Sequence, residues 1–194
     1  RALGCRSIIG DARSRKMQSV MNLRIKYRES FRPFAPSVLR EDVNEYFDLD
    51  GDSPYMLLVA DVRQDKLRKL DEGEERAMAS DDLRERVTVA RSEIPAVTHV
   101  DMSARIQTVD EQRHGRYWRL IREFKRQTGC SVIINTSFNI RGEPIVCTPE
   151  DAYRCFMATD MDLLVLEDCV LKKSEQPQLD QAAHKEYLGS FLLD

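Results

Sequence analysis

Apolar and polar positions divide this chain into helical and extended stretches in alternation. Over 14–27, Met17, Val20, Met21 and Ile25 recur near helical spacing with Lys and Arg between them, which predicts an amphipathic helix. F-R-P-F-A-P-S-V-L follows at 31–39. Its two prolines exclude helix and a central strand, so an edge segment or rigid loop is expected. Glu41 to Phe47 suits a short helix, and Y-M-L-L-V-A at 55–60 reads as a buried strand. P-A-V-T-H-V at 95–100 has strand composition, and R-I-Q-T-V at 105–109 alternates like a second strand. Over 115–128, Tyr117, Leu120, Ile121 and Phe124 form one helical stripe that Gly129 ends. A buried strand covers 131–135. Thr148 caps a helix opening at Pro149 with Glu150 and Asp151 in its first turn. Asp162 to Leu166 reads as a strand, and 174–194 as a tail or peripheral helix. Helices alternating with non-adjacent strands predict an α/β fold: a mixed, twisted sheet with flanking helices.

One region breaks the pattern. From about 63 to 90 the chain is dominated by Asp, Glu, Lys and Arg, as expected of a solvated helix or a loop inserted in the domain. Chemistry is not expected there. The organisation predicted is one domain over 1–172 carrying this insertion, followed by a tail over 173–194. The total of 194 residues is enough for that.

Charge and cysteine usage narrow the classes. A net charge of -3 argues against general nucleic-acid binding through bulk electrostatics, while leaving room for a local basic pocket. No apolar run approaches a membrane span, and no secretory leader is seen. Cys5, Cys130, Cys147, Cys155 and Cys169 are irregularly spaced without C-x-x-C, so reduced thiols in a cytoplasmic protein are expected. His99, His114 and His184 form no H-x-x-x-H pair, and no metal site is read from the sequence. The chain opens on Arg rather than Met and reads as a piece of something longer.

Two stretches carry candidate chemistry. The strand at 131–135 runs into Asn135, Thr136, Ser137 and Asn139, then Arg141, Gly142 and Glu143. A hydrophobic strand ending in short donors is either a ligand site at a sheet's carboxyl edge or a polar turn. The second stretch, R-I-K-Y-R-E-S-F-R, holds Arg24, Lys26, Arg28 and Arg32. If it is extended from Lys26, then Lys26, Arg28 and Arg32 share a face and need an anion such as phosphate to neutralise them. The other reading is a basic helix end, or ion pairs to Glu29 and Glu41. Arg105 opens a strand after D-M-S-A. Together, Lys26, Arg32, Arg105, Asn135 and Ser137 would make a cationic pocket with neutral donors, suited to a phosphate-bearing substrate. Neither G-x-x-x-x-G-K-[ST] nor G-x-G-x-x-G is present, so a nucleotide would bind by other means. Asp101, Glu143 and Asp162 are candidate acids, but nothing pairs them. Electrostatic stabilisation of an anion in transfer is the mechanism this set supports.

Four motifs in order, R-A-L-G-C-R-S-I-I-G-D-A-R, K-Y-R-E-S-F-R-P-F-A-P-S-V, V-T-H-V-D-M-S-A-R-I-Q-T-V and N-T-S-F-N-I-R-G-E-P-I-V, resemble the C-terminal portion of the NodU/CmcH-type O-carbamoyltransferases over about residues 1–170. The resemblance implies a YrdC/Sua5-like domain that uses carbamoyl phosphate and ATP with Mg²⁺ to make carbamoyl-adenylate, releasing phosphate and pyrophosphate. An N-terminal actin-like ATPase-type domain, absent from this chain, would hold iron and the hydroxyl-bearing acceptor and complete the transfer. Carried over by motif, the catalytic binders would be Lys26, Arg32, Arg105, Asn135 and Ser137. Arg1, Arg28, Thr136 and Asn139 would contact the nucleotide. One departure is visible: Met102 stands where the family usually has Gly, and could narrow the pocket or reorient the strand leading to Arg105. The competing readings are a non-catalytic nucleotide- or RNA-binding YrdC-like module, and a structural domain whose pocket is vestigial. The acceptor's identity and the oligomeric state, a homodimer included, stay open.

Overall fold

The computed structural model describes residues 4–191. In chain order the elements are β1 (Ser7–Asp11), α1 (Met17–Val20) running into a π-helical turn (Met21–Ile25), β2 (Ala35–Leu39), α2 (Val43–Tyr46), β3 (Leu58–Asp61), α3 (Glu72–Ala79), α4 (Leu83–Thr88), β4 (Ser103–Val109), α5 (Glu111–His114), α6 (Arg116–Thr128), β5 (Val132–Ser137), α7 (Pro149–Met157), β6 (Leu163–Leu166), β7 (Cys169–Lys172) and α8 (Gln181–Gly189). Five strands form one sheet in the order β1-β5-β2-β4-β3, and β6 and β7 make a separate hairpin. Only β2 and β4 run parallel; the other pairs in the large sheet are antiparallel. The mixed α/β fold expected from the alternation is the fold observed.

The sheet is covered on both faces because its strands alternate. Ile133 of β5, Leu39 of β2 and Val109 of β4 pack on Tyr117, Trp118 and Ile121 of α6. Val132 and Ile134, one residue either side of Ile133, point the other way and join Ile8, Val38 and Ile106 against Met21, Ile25 and the α7 side chains Cys155 and Phe156. The helix at Pro149 starts as its sequence predicts: the Thr148 side chain accepts from the Asp151 amide, and Asp151 reciprocates in a capping box. The charged region folds into α3 and α4, neither of which buries a residue. No helix among the described residues is long and apolar enough to cross a membrane.

Three expectations are corrected. The segment with two prolines contains the central strand, β2, buried along its whole length. It tolerates Pro36 because the β4 ladder begins one residue later, at Ser37, so Pro36 has only β5 opposite it. The strand expected at 55–60 begins at Leu58 and is an edge, not a buried one: Leu57, Leu58 and Val59 are 76%, 45% and 59% exposed. An apolar run specifies a strand but not how many neighbours it acquires. Residues 95–100 form a buried turn rather than a strand. Its carbonyls need no ladder, because the buried Arg91 guanidinium donates from Nη2 to Thr98 O at 2.7 Å and from Nε to His99 O at 3.1 Å. Two details of the sequence reading also shift: Trp118 replaces the 43%-exposed Leu120 in the buried stripe of α6, and β7 was not foreseen.

The contrast between the middle and the edge of the sheet is measurable. Ile134→Ala, at a fully buried site on β5, should lower the urea-unfolding free energy by about 2–5 kcal/mol. Val59→Ala on β3 should stay within about 0.5 kcal/mol. Equal losses at both positions would contradict the edge placement of β3.

Candidate functional site

The face that α6 covers continues past the helix as an open cavity of about 330 Å³, lined in part by Arg28, Phe34, Arg105, Asn135, Thr136 and Ser137. Alternation puts Arg105, Asn135 and Ser137 there. Asn135 and Ser137 share a face with Ile133, Arg105 with Val109, and Ala35 with Leu39. Strand pairing then aligns them: Asn135 lies opposite Ala35, and Ser137 opposite Ser7. The sheet thus sets five side-chain positions of the wall, and the loop after the π-helical turn supplies Arg28 and Phe34.

The two guanidiniums differ in how they are held. Arg28 donates from Nε to Asn22 Oδ1 at 2.7 Å, and its guanidinium carbon lies 4.8 Å from the centre of the Phe34 ring. Asn22 is fully buried and fixes the same loop again by donating to the carbonyls of Ser30 and Arg32 at 3.0 and 2.8 Å. Burial pulls the Arg28 pKa down, the neighbouring Arg32 charge adds to that, and Glu29 opposes it. Arg105 is exposed, and among the described residues its side chain makes no ion pair or hydrogen bond. Among the described residues, no carboxylate lines the cavity.

A buried polar chain backs the wall. Tyr117 OH of α6 donates to Ser37 Oγ at 2.8 Å, Ser37 donates to Gln107 Oε1 at 2.6 Å, and Asn135 Nδ2 donates to the same oxygen at 2.7 Å. Burial raises the Tyr117 pKa far above a phenol's usual value, so its hydroxyl stays a donor. Gln107 Nε2 is left without a hydrogen-bond partner among the described residues.

Lys26 sits behind the wall and is 3% exposed. Its ammonium donates to Ser137 O at 2.8 Å, to Asn139 O and Oδ1 at 2.7 Å each, and more weakly to Ser137 Oγ at 3.4 Å. Burial pulls its pKa down to about 8, with Arg28 adding to the shift and Cys155 and Glu143 opposing it.

Residues 1–173 match the model of the carbamoyltransferase C-terminus. The chain belongs to that family. It is 61% identical over 181 residues to an uncharacterized protein of Synechocystis sp., covering 93% of this chain and 29% of that protein. It is 38% identical over 186 residues to nodulation protein NolO of Bradyrhizobium diazoefficiens, covering 94% of this chain and 30% of that protein. It is 32% identical over 166 residues to the 3'-hydroxymethylcephem-O-carbamoyltransferase of Streptomyces clavuligerus, covering 85% of this chain and 27% of that protein. The chain therefore spans less than a third of the length of these family members.

Of the residues chosen from sequence, the structure brings Arg28, Arg105, Asn135, Thr136 and Ser137 to one cavity. Lys26 and Asn139 stand behind Ser137 rather than on the wall. Arg32 is half exposed and pairs with Glu29 at 2.8 Å, and it does not line the cavity. The stretch from Lys26 is not extended: Lys26 ends the π-helical turn in right-handed backbone, and Tyr27 follows at φ 47. Lys26, Arg28 and Arg32 therefore share no strand face. Arg1 lies outside the described residues. Met102 does not line the cavity either. It holds a left-handed turn at φ 66 before β4, a conformation that favours Gly. Phe34, Asn22 and Gln107 were missed. Asn22 and Gln107 left a trace, a polar residue beside an apolar helical stripe and a second polar residue two positions after Arg105.

Lys26 should titrate near pH 8 when followed by NMR of a labelled side chain; a midpoint above 10 would contradict its burial. Between about 8 and the usual 10.5 the unfolded chain keeps a proton that the folded chain has released, so this group makes the fold more stable as pH rises through that window.

Proposed function

We propose that this domain activates a carbamoyl group, binding carbamoyl phosphate and ATP and forming carbamoyl-adenylate: one water cleaves carbamoyl phosphate to carbamate and phosphate, and a carbamate oxygen displaces pyrophosphate from the α-phosphate of ATP. The activated group would then pass to a hydroxyl acceptor held outside this chain. The observation that carries the reading is the cavity wall itself: Arg105, whose side chain is unpaired among the described residues, and the Phe34-stacked Arg28 beside the neutral side chains of Asn135 and Ser137. Such a wall suits a substrate whose charge sits on phosphate oxygens, because a guanidinium offers a planar fork of donors. As the leaving phosphate gains charge, these preplaced donors meet it without reorganising.

The donor set also bears on magnesium. With no carboxylate on the wall among the described residues, Mg²⁺ would be carried by the nucleotide's phosphates. Arg28, Arg105 and the strand donors would bind and orient the anions, and Lys26 would add positive charge from behind Ser137.

Exchange of labelled pyrophosphate into ATP, dependent on carbamoyl phosphate, tests the half-reaction. Arg105→Ala should lower the exchange by about a hundredfold or more. Exchange that is indifferent to carbamoyl phosphate, or undiminished in Arg105→Ala, would overturn the reading.

A further inference from the structure

The loop behind the cavity is fastened from an unexpected direction. Glu143 is 8% exposed, and both of its carboxylate oxygens are used. Oε2 accepts from the Ile140 amide at 2.8 Å, and Oε1 accepts from the hydroxyl of Tyr187 on α8. Its main-chain oxygen accepts from Asn139 Nδ2 at 2.7 Å. Asn139 Oδ1 in turn accepts from Ser137 Oγ at 2.6 Å and from Lys26 Nζ at 2.7 Å. Glu143, whose carboxylate meets Tyr187 and whose main chain meets Asn139, therefore joins α8 to a side chain on the cavity wall.

The close approach of the tail is built into the backbone. Gly142 has φ +81, and a Cβ on it would collide with the carbonyl of Phe191. Tyr187 and Phe191 stack edge to face with ring centres 5.2 Å apart. Both lie beyond residue 173, where the family match ends, so this clamp comes from a part of the chain outside the matched region.

We infer that Glu143 is a positioning residue of the anion cavity: held by Tyr187, it fixes Asn139, which sets the orientation of Ser137 and Lys26. The anionic character of the ligand rests on the function proposed above; the clamp itself rests on geometry alone. Glu143 also places a negative charge near two buried groups. It opposes the burial that lowers the Lys26 pKa, and it adds to the burial that pushes the Cys155 thiol up to about 12. Removing that charge should therefore register at Lys26 even where the fold is unchanged.

The test uses the whole chain with inorganic phosphate and carbamoyl phosphate as probes, in the parent protein, Glu143→Gln and Tyr187→Phe. Affinity, the Lys26 titration midpoint and the melting temperature are read for each. Glu143→Gln should weaken both probes at least tenfold at pH 7.5 and move the Lys26 midpoint down. Tyr187→Phe should weaken them less, leave the midpoint nearly in place, and shift the Ser137 and Asn139 amide resonances. Parent-like affinity and an unmoved Lys26 midpoint in both variants would overturn the inference. So would affinity losses that only track a lowered melting temperature. Should Glu143→Gln fail to fold, Tyr187→Phe decides through the Ser137 resonance and the affinity. If the parent binds neither probe, the proposed function falls. The clamp is then judged on resonances alone: movement at Ser137 and Lys26 supports it, and none refutes it.

Discussion

The structure depends on one buried ammonium. Taking a lysine charge out of water costs several kcal/mol unless it is fully hydrogen-bonded. Lys26 offsets part of that cost with two backbone carbonyls and the Asn139 side-chain oxygen, all within 2.8 Å. Those acceptors come from the end of β5 and the loop after it, while the lysine comes from the end of the π-helical turn. The interaction therefore fastens two segments more than a hundred residues apart in sequence. It also fixes where the chain turns at Tyr27, and so where Arg28 emerges beside Phe34.

From that anchor the division of labour across the sheet follows. One face is closed by apolar packing against α7 and the π-helical turn. The other is closed by α6 over Leu39, Val109 and Ile133, then left open where the same strands present Asn135, Ser137 and Arg105. The link between the closed and open parts is polar: Tyr117, Ser37, Gln107 and Asn135 join α6 to the wall by hydrogen bonds. Buried polar networks of this kind are favourable when satisfied and costly when broken, so they resist rearrangement. Two such supports, one from α6 and one from α8, meet the cavity wall on β5.

Much of this was legible in the sequence where a local rule coincided with the tertiary outcome. Thr148 and Asp151 cap α7 because capping needs only neighbouring residues. The apolar residues of β5 form a buried strand because both faces are covered. Sequence reasoning failed where the outcome depends on a distant partner. Pro36 looked incompatible with a central strand because the one-residue offset of β4 is invisible locally. Leu57 to Val59 looked buried because exposure depends on which layers arrive. Residues 95–100 looked like a strand because nothing in them announces the Arg91 guanidinium that satisfies their carbonyls. At the candidate site, charge and donor type picked out Arg28, Arg105 and Asn135 to Ser137. They did not separate Lys26, which the chain uses internally, or Arg32, which pairs with Glu29. The Glu143–Tyr187 contact spans 44 residues and left no trace in the pattern of either segment.

The central claim, one anion cavity assembled on the open half of the α6 face, is tested most directly by mapping carbamoyl phosphate onto the protein by NMR. The account predicts that the side-chain Nε resonances of Arg28 and Arg105 and the amides of Asn135, Thr136 and Ser137 shift together with one dissociation constant. Shifts confined to another cavity, beside α8 and lined in part by Lys173 and His184, or the absence of any response at Arg105, would contradict it.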